Sequence, residues 1–118
     1  MSPTIPLEKR RHKRYPLPDD TVAISDAGIG SVLDISEGGF AIKYLKPKDL
    51  PDEGEALVFC AERDFLVSDL PIQVVRKEEA EISQDSETIT QTVGVKLNNP
   101  DPGQQAQIKQ LVAELSKS

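Results

Sequence analysis

Two short stretches of this 118-residue chain hold side chains whose types and spacing suit chemistry. The first is Arg10-Arg11-His12-Lys13-Arg14, with an arginine at each end of an Arg-x-x-x-Arg pattern. Guanidinium groups present rigid forks of N–H donors that match phosphate and carboxylate oxygens. Taken alone, the run reads as a solvated basic arm or a nonspecific patch for polyanions. The second is Asp34-Ile35-Ser36-Glu37-Gly38-Gly39, an Asp-x-Ser-x-x-Gly pattern. Asp and Ser side chains bond nearby backbone amides in turns, and paired glycines tolerate positive φ. Taken alone, this stretch reads as a β-turn.

Other chemistries have little to draw on. His12 is the one histidine, which argues against a metal site. Cys60 lies in the apolar run Leu57-Val58-Phe59-Cys60-Ala61, where a buried, inert thiol is expected. Carboxylates are abundant but scattered, and no phosphate-binding loop followed by Lys is present, so the chain does not read as an enzyme.

Charge is distributed unevenly. Residues 1–15 hold five Lys/Arg and one acid, whereas residues 16–118 hold nine Lys/Arg and nineteen acids, for a net charge of −6. A compact basic cluster on an acidic body is an interaction signal. A nucleic-acid module is normally basic throughout, so neither DNA nor RNA is the expected partner. No apolar run approaches the roughly 18 residues needed to span a bilayer, so no membrane insertion is expected. The charged N-terminus lacks the apolar core of a signal peptide. With a single cysteine, these features predict a cytoplasmic protein in a reducing compartment.

The elements that must position the two motifs follow from periodicity. Residues 1–18 show none and contain Pro3, Pro6, Pro16 and Pro18, which predicts a flexible arm. Residues 19–118 form the expected folded domain. Alternation and β-branched content predict strands over 21–25, 29–35, 40–44, 55–61, 71–77 and 88–97. Residues 46–54 read as a loop, and the acidic stretch 78–87 reads as a solvated hairpin loop. Phe65 and Leu66 are expected in the core. Asp101-Pro102 supplies an N-cap and a first-turn proline, and Ile108, Leu111, Val112 and Leu115 then form one apolar stripe on a C-terminal helix. Six short antiparallel strands and a helix with a stripe to bury suggest a small barrel with the helix packed on it.

In order, the two motifs resemble the PilZ domain family: Arg-x-x-x-Arg on an N-terminal segment, then Asp-x-Ser-x-x-Gly one hairpin later. The resemblance extends to Ile72-Gln73-Val74-Val75-Arg76, to Val93-Gly94-Val95-Lys96-Leu97 and to the helix that follows, from about residue 8 to 115. It implies a mainly β fold, a six-stranded antiparallel barrel with a C-terminal α-helix, and a bacterial receptor for the second messenger cyclic di-GMP. Arg10, Arg14, Asp34, Ser36 and Gly39 are its implied ligand-binding residues, with Arg11 and Gly38 as further contacts. Lys9, just before the first arginine, permits either one ligand or a stacked pair.

The implied chemistry is coherent. An arginine fork matches the O6 and N7 acceptors of guanine, and a carboxylate at Asp34 accepts from guanine N1 and N2 while disfavouring adenine. Arginine, Ser36 and backbone amides near Gly38 and Gly39 supply donors to the phosphates. A ligand that orders a loose arm changes the surface that a downstream protein partner meets. Arg76 is open between facing the ligand and pairing with a carboxylate. No cofactor is implied. The alternative is a PilZ-like interaction adaptor that binds no ligand, although such a chain would be expected to have lost Arg14 or Asp34.

Overall fold

The computed structural model describes residues 13–26, 28–45, 52–82 and 88–117. Chain order is β1 (Tyr15–Pro16), β2 (Val22–Ser25), β3 (Gly28–Ser36), β4 (Gly39–Leu45), β5 (Glu53–Cys60), β6 (Phe65–Lys77), β7 (Glu81–Ile82), β8 (Ile89–Leu97) and α1 (Pro102–Ser116). Six strands close a ring in the order β3-β2-β5-β6-β8-β4, with β4 returning to β3, and every pairing is antiparallel. The barrel and its helix match the architecture that the sequence suggests.

Period-two alternation turns one face of each strand inward. Val32, Ile35, Phe40, Ile42, Tyr44, Val58, Val67, Val93 and Val95 fill the interior, and Cys60 is buried there as a free thiol. Burial raises the pKa of the Tyr44 phenol, while its hydrogen bond with Ser25 Oγ at 3.0 Å acts the other way. Thr21 is fully buried, and its hydroxyl meets no hydrogen-bonding group among the described residues. A buried hydroxyl without a partner forfeits its hydration. Thr21→Val is therefore expected to raise the unfolding free energy by about 1 kcal/mol. The check is a shift of the urea midpoint at unchanged slope; a lower midpoint would mean that the hydroxyl is satisfied.

The α1 cap is as the sequence predicts. The Asp101 carboxylate accepts from Gln104 N–H at 2.7 Å, and Gln104 Oε1 accepts from Asp101 N–H at 3.0 Å, which completes a capping box. Ile108, Leu111, Val112 and Leu115 are all buried. The helix packs on β6, β3 and β1. Its polar side chains tie it to β6: Gln104 Nε2 donates to Ser68 O and Asp69 O, and Gln107 Nε2 donates to Leu66 O, each at 3.0 Å.

Three strand readings need correction. β6 begins at Phe65 rather than at Pro71. Ser68 and Asp69 bulge opposite Leu57, with Asp69 at φ 52°, and the strand resumes through Pro71. A proline beside a bulge is compatible with a strand. Phe65 is buried as expected, but Leu66 is 53% exposed, because alternation turns it outward. The acidic loop contains a strand of its own, β7, which pairs Glu81 with Thr90 and Ile82 with Ile89; residues 83–87 lie outside the described residues.

Candidate ligand site

The edge of β3 is shared by two partners. β2 pairs with Gly28 to Ser31 and then departs. Val32 N–H donates to Thr21 O at 3.0 Å and Leu17 N–H donates to Leu33 O at 3.1 Å, so β1 takes over the edge at Tyr15↔Ile35 and Pro16↔Asp34. Tyr15 and Leu17 pack against the core and anchor this strand. β1 thus lies within the stretch read as an arm, and it delivers Arg14 to the second motif. Arg14 Nη1 donates to Asp34 Oδ1 at 2.6 Å, with both side chains partly exposed. Lys13 Nζ sits 5.6 Å from the Tyr15 ring centroid, a cation–π distance.

Asp34 owes its aim to a bulge. The β3–β4 register steps from Val32↔Ile42 to Asp34↔Ala41, so Leu33 is an extra residue. Uninterrupted alternation from Val32 would turn Asp34 into the core; the bulge turns it outward and restores Ile35 to the interior. The turn after β3 is held by Ser36, which is buried. Its Oγ accepts from Gly38 N–H at 3.2 Å and lies 3.5 Å from Gly39 O. Gly38 O accepts from Leu97 N–H at 2.9 Å. The tight turn forms at Glu37 and Gly38 as the sequence suggests, but neither Gly38 nor Gly39 is among the residues with positive φ. Gly39 is demanded by proximity instead: a Cβ there would lie 2.0 Å from Val95 O.

Registers across β3, β4, β8 and β6 place Asp34, Ala41, Gly94 and Arg76 in one cross-strand row. A second bulge, at Val75, brings Arg76 level with Gly94. Three strand spacings separate the ends of the row, roughly 14 Å along the wall. Ala41 and Gly94 form a low floor. The Arg76 guanidinium covers it, 3.4 Å from where a Cβ on Gly94 would stand. The next row runs Ser36, Gly39, Lys96, Gln73, with Lys96 exposed. Arg76 lies 3.7 Å from the Glu78 carboxylate, both half-exposed, which is longer than a good hydrogen bond. Both readings of Arg76 thus retain a structural basis: it lies in the Asp34 row and loosely against a carboxylate.

Of the residues singled out from the sequence, Arg14, Asp34, Ser36, Gly38 and Gly39 come together at this end of β3. Arg10 and Arg11 lie outside the described residues. Ala41, Gly94 and Lys96 were missed. Alternation in Val93-Gly94-Val95-Lys96-Leu97 already turns Gly94 and Lys96 outward, but their alignment with Asp34 and Gly39 depends on cross-strand register.

A family model described as PilZ domain matches residues 8–114. Among solved structures, the chain is similar to the PilZ domain of YcgR from Escherichia coli, described with c-di-GMP, at TM-score 0.68 and 18% identity over 93% of each chain. It is also similar to the K. pneumonia MrkH-c-di-GMP complex, at TM-score 0.72 and 21% identity, covering 94% of this chain and 54% of that one. Bacillus subtilis MotI/DgrA, described as an inhibitor of motility, follows at TM-score 0.58 and 13% identity, with 95% and 54% covered. The chain thus spans about half the length of MrkH and MotI/DgrA, and likenesses at these identities speak for the fold alone. No curated protein matches the chain.

Proposed function

The chain belongs to the PilZ domain family, and on that premise we propose that it is a receptor for cyclic di-GMP, a binding module rather than an enzyme. The observation that carries this reading is the contact of the two motifs: Arg14 and Asp34 meet at 2.6 Å beside an outward-facing floor of Ala41 and Gly94. A flat purine fits against backbone and small side chains where larger ones would hold it off. Asp34 accepts from the guanine N1 and N2 donors, and Arg14 and Arg76 offer guanidinium forks and stacking planes from opposite sides. Lys96 and the arginines of the segment before Lys13 supply charge to the phosphates. Ordering that segment on the barrel is the output: it alters the surface that a partner protein meets.

The test is calorimetric titration of the purified chain with cyclic di-GMP, beside cyclic di-AMP. Saturable binding of cyclic di-GMP is expected. Adenine presents an acceptor at N1, so cyclic di-AMP should bind on the order of tenfold to a hundredfold more weakly. If neither ligand gives heat or displaces a labelled competitor while circular dichroism shows a folded barrel, the receptor reading is lost and the adaptor takes its place.

A further inference from the structure

We propose that the outer wall of β2, β5 and the start of β6 docks a segment of another protein that presents apolar anchors flanked by Lys or Arg. This surface is separate from the ligand site. Alternation turns Val22 and Ile24 outward on β2, and Leu57 and Phe59 outward on β5. The registers make them neighbours: Ile29, Ile24 and Leu57 form one row, and Val22, Phe59 and Leu66 the next. The outward positions of a half-solvated sheet are ordinarily polar. Here Ile29 is 61% exposed, Leu66 53%, Ile24 45% and Phe59 40%. Side chains of that size expose on the order of 400 Å² together, within the roughly 300–600 Å² of the largest apolar patch on a typical monomer, a patch that is often functional.

Charge decides the kind of partner. Ile24 and Leu57 floor an open groove of about 560 Å³ bordered by Asp26, Glu55 and Asp69, with no Lys or Arg among the described residues that line it. None of these three carboxylates has an ion-pair partner among the described residues. Among the described residues, Lys96 and Arg76 lie on the other wall, and Lys43, opposite Ser31 on β4, stands diagonal to Ile29 at the β3 edge of the patch. A second copy of this chain would set carboxylates against carboxylates. Nucleic acid carries the same sign as the rim. The described cations nearest the start of the chain, Lys13 and Arg14, lie in the wrong direction: β1 is antiparallel to β3, so the chain read back from Tyr15 to Lys13 runs past Ile35 toward Glu37, away from Ile24 and Ile29. A partner with basic residues around apolar anchors satisfies both the patch and its rim.

The experiment uses the full chain, 15N-labelled, and three synthetic peptides of equal length: alternating Lys and Leu, Lys and Ser, and Glu and Leu. The Lys/Leu peptide is expected to shift the amide signals of Ile24, Leu57, Phe59 and Leu66, and to bind at least tenfold more tightly than either of the others. Phe59→Ser with Leu66→Ser, and separately Asp26→Lys with Glu55→Lys, should each weaken it tenfold or more. These positions are exposed, so unchanged signals elsewhere certify the fold. Equal binding of the Lys/Ser peptide reduces the surface to diffuse charge and overturns the proposal. So do equal binding of the Glu/Leu peptide, shifts centred elsewhere, or concentration-dependent broadening of the patch without peptide, which would assign it to a second copy.

Discussion

Arg14→Ala is expected to bind cyclic di-GMP about a hundredfold more weakly than the unaltered chain, yet to melt within a few degrees of it. The binding loss follows from what remains. Once a bound ligand covers the pair, removing one of its members costs about 2–5 kcal/mol, and tenfold in affinity is about 1.4 kcal/mol. In the free protein the same guanidinium holds Asp34 at 2.6 Å, so the ligand meets a carboxylate already steered into place. The stability loss is small because the pair is open to solvent, with Arg14 24% and Asp34 31% exposed. Such a pair contributes at most about 1 kcal/mol, which is roughly 4 °C of melting temperature for a domain of this size. β1 keeps its place through backbone pairing at Tyr15↔Ile35 and through Leu17 N–H on Leu33 O, neither of which involves the Arg14 side chain. Calorimetry and thermal melts on the same preparation separate the two effects. Unchanged affinity would move the site away from this pair; a large drop in melting temperature would make Arg14 a structural residue.

What the sequence discloses about this site follows the range of the interactions that build it. The start of the helix and its buried stripe are legible to the residue because their signals are local: Asp101 caps within one turn, and the stripe from Ile108 to Leu115 needs only a period of 3.6. The strands are legible as segments, because alternation is also local. Their phase is not. Leu33 and Val75 look like ordinary strand residues, yet each is the extra residue of a bulge that re-aims the side chain after it, Asp34 in one case and Arg76 in the other. Nothing in residues 32–34 distinguishes a bulge from continued alternation, because the mismatch is with a partner strand distant in sequence. Pro71 failed as a boundary for the same reason. It reads as a strand start, but the bulge at Ser68 and Asp69 absorbs the irregularity and the strand runs through it. Phe65 and Leu66 show that phase also decides burial: adjacent and both apolar, one is inside and the other out.

Charge was half legible. The sequence separates a basic start from an acidic body, and the fold separates charge a second time, within the body. Lys43, Lys96 and Arg76 share the wall of β4, β8 and the end of β6, while Asp26, Glu55 and Asp69 border the groove of β2 and β5. On the proposed reading, Lys43, Lys96 and Arg76 draw an anion toward the wall that carries Ala41 and Gly94 against the opposing charge of Asp34 and Glu78, because exposed charges act over about a Debye length, near 10 Å at moderate salt. The arrangement favours a small anionic ligand at the Asp34 row despite the net charge of −6.

Gly39→Ala is expected to damage the fold before it damages binding, lowering the melting temperature by about 10 °C or more. A Cβ at this position would stand 2.0 Å from Val95 O and 2.9 Å from Lys96 Cα. Both are backbone atoms of β8, so no side chain can swing aside, and relief requires β4 and β8 to part. Gly39↔Lys96 is the first pair of the β4–β8 ladder, and Leu97 N–H on Gly38 O extends it by one bond at 2.9 Å. Forcing extra volume into such a contact costs about 3 kcal/mol, and each kcal/mol is roughly 4 °C here. Gly94→Ala is the contrasting case. Its nearest neighbour would be the Arg76 guanidinium at 3.4 Å, an exposed side chain that can move, so its melting temperature should stay within a few degrees of the unaltered chain. The pair separates two explanations of the motif's last glycine. If Gly39→Ala melts early and Gly94→Ala does not, the glycine is there because β8 passes too close for any side chain, and it serves the ligand by seating Ser36 and the turn beside Lys96. If Gly39→Ala melts normally and fails only to bind, β8 yields where the geometry says it cannot, and the glycine is a ligand contact in its own right.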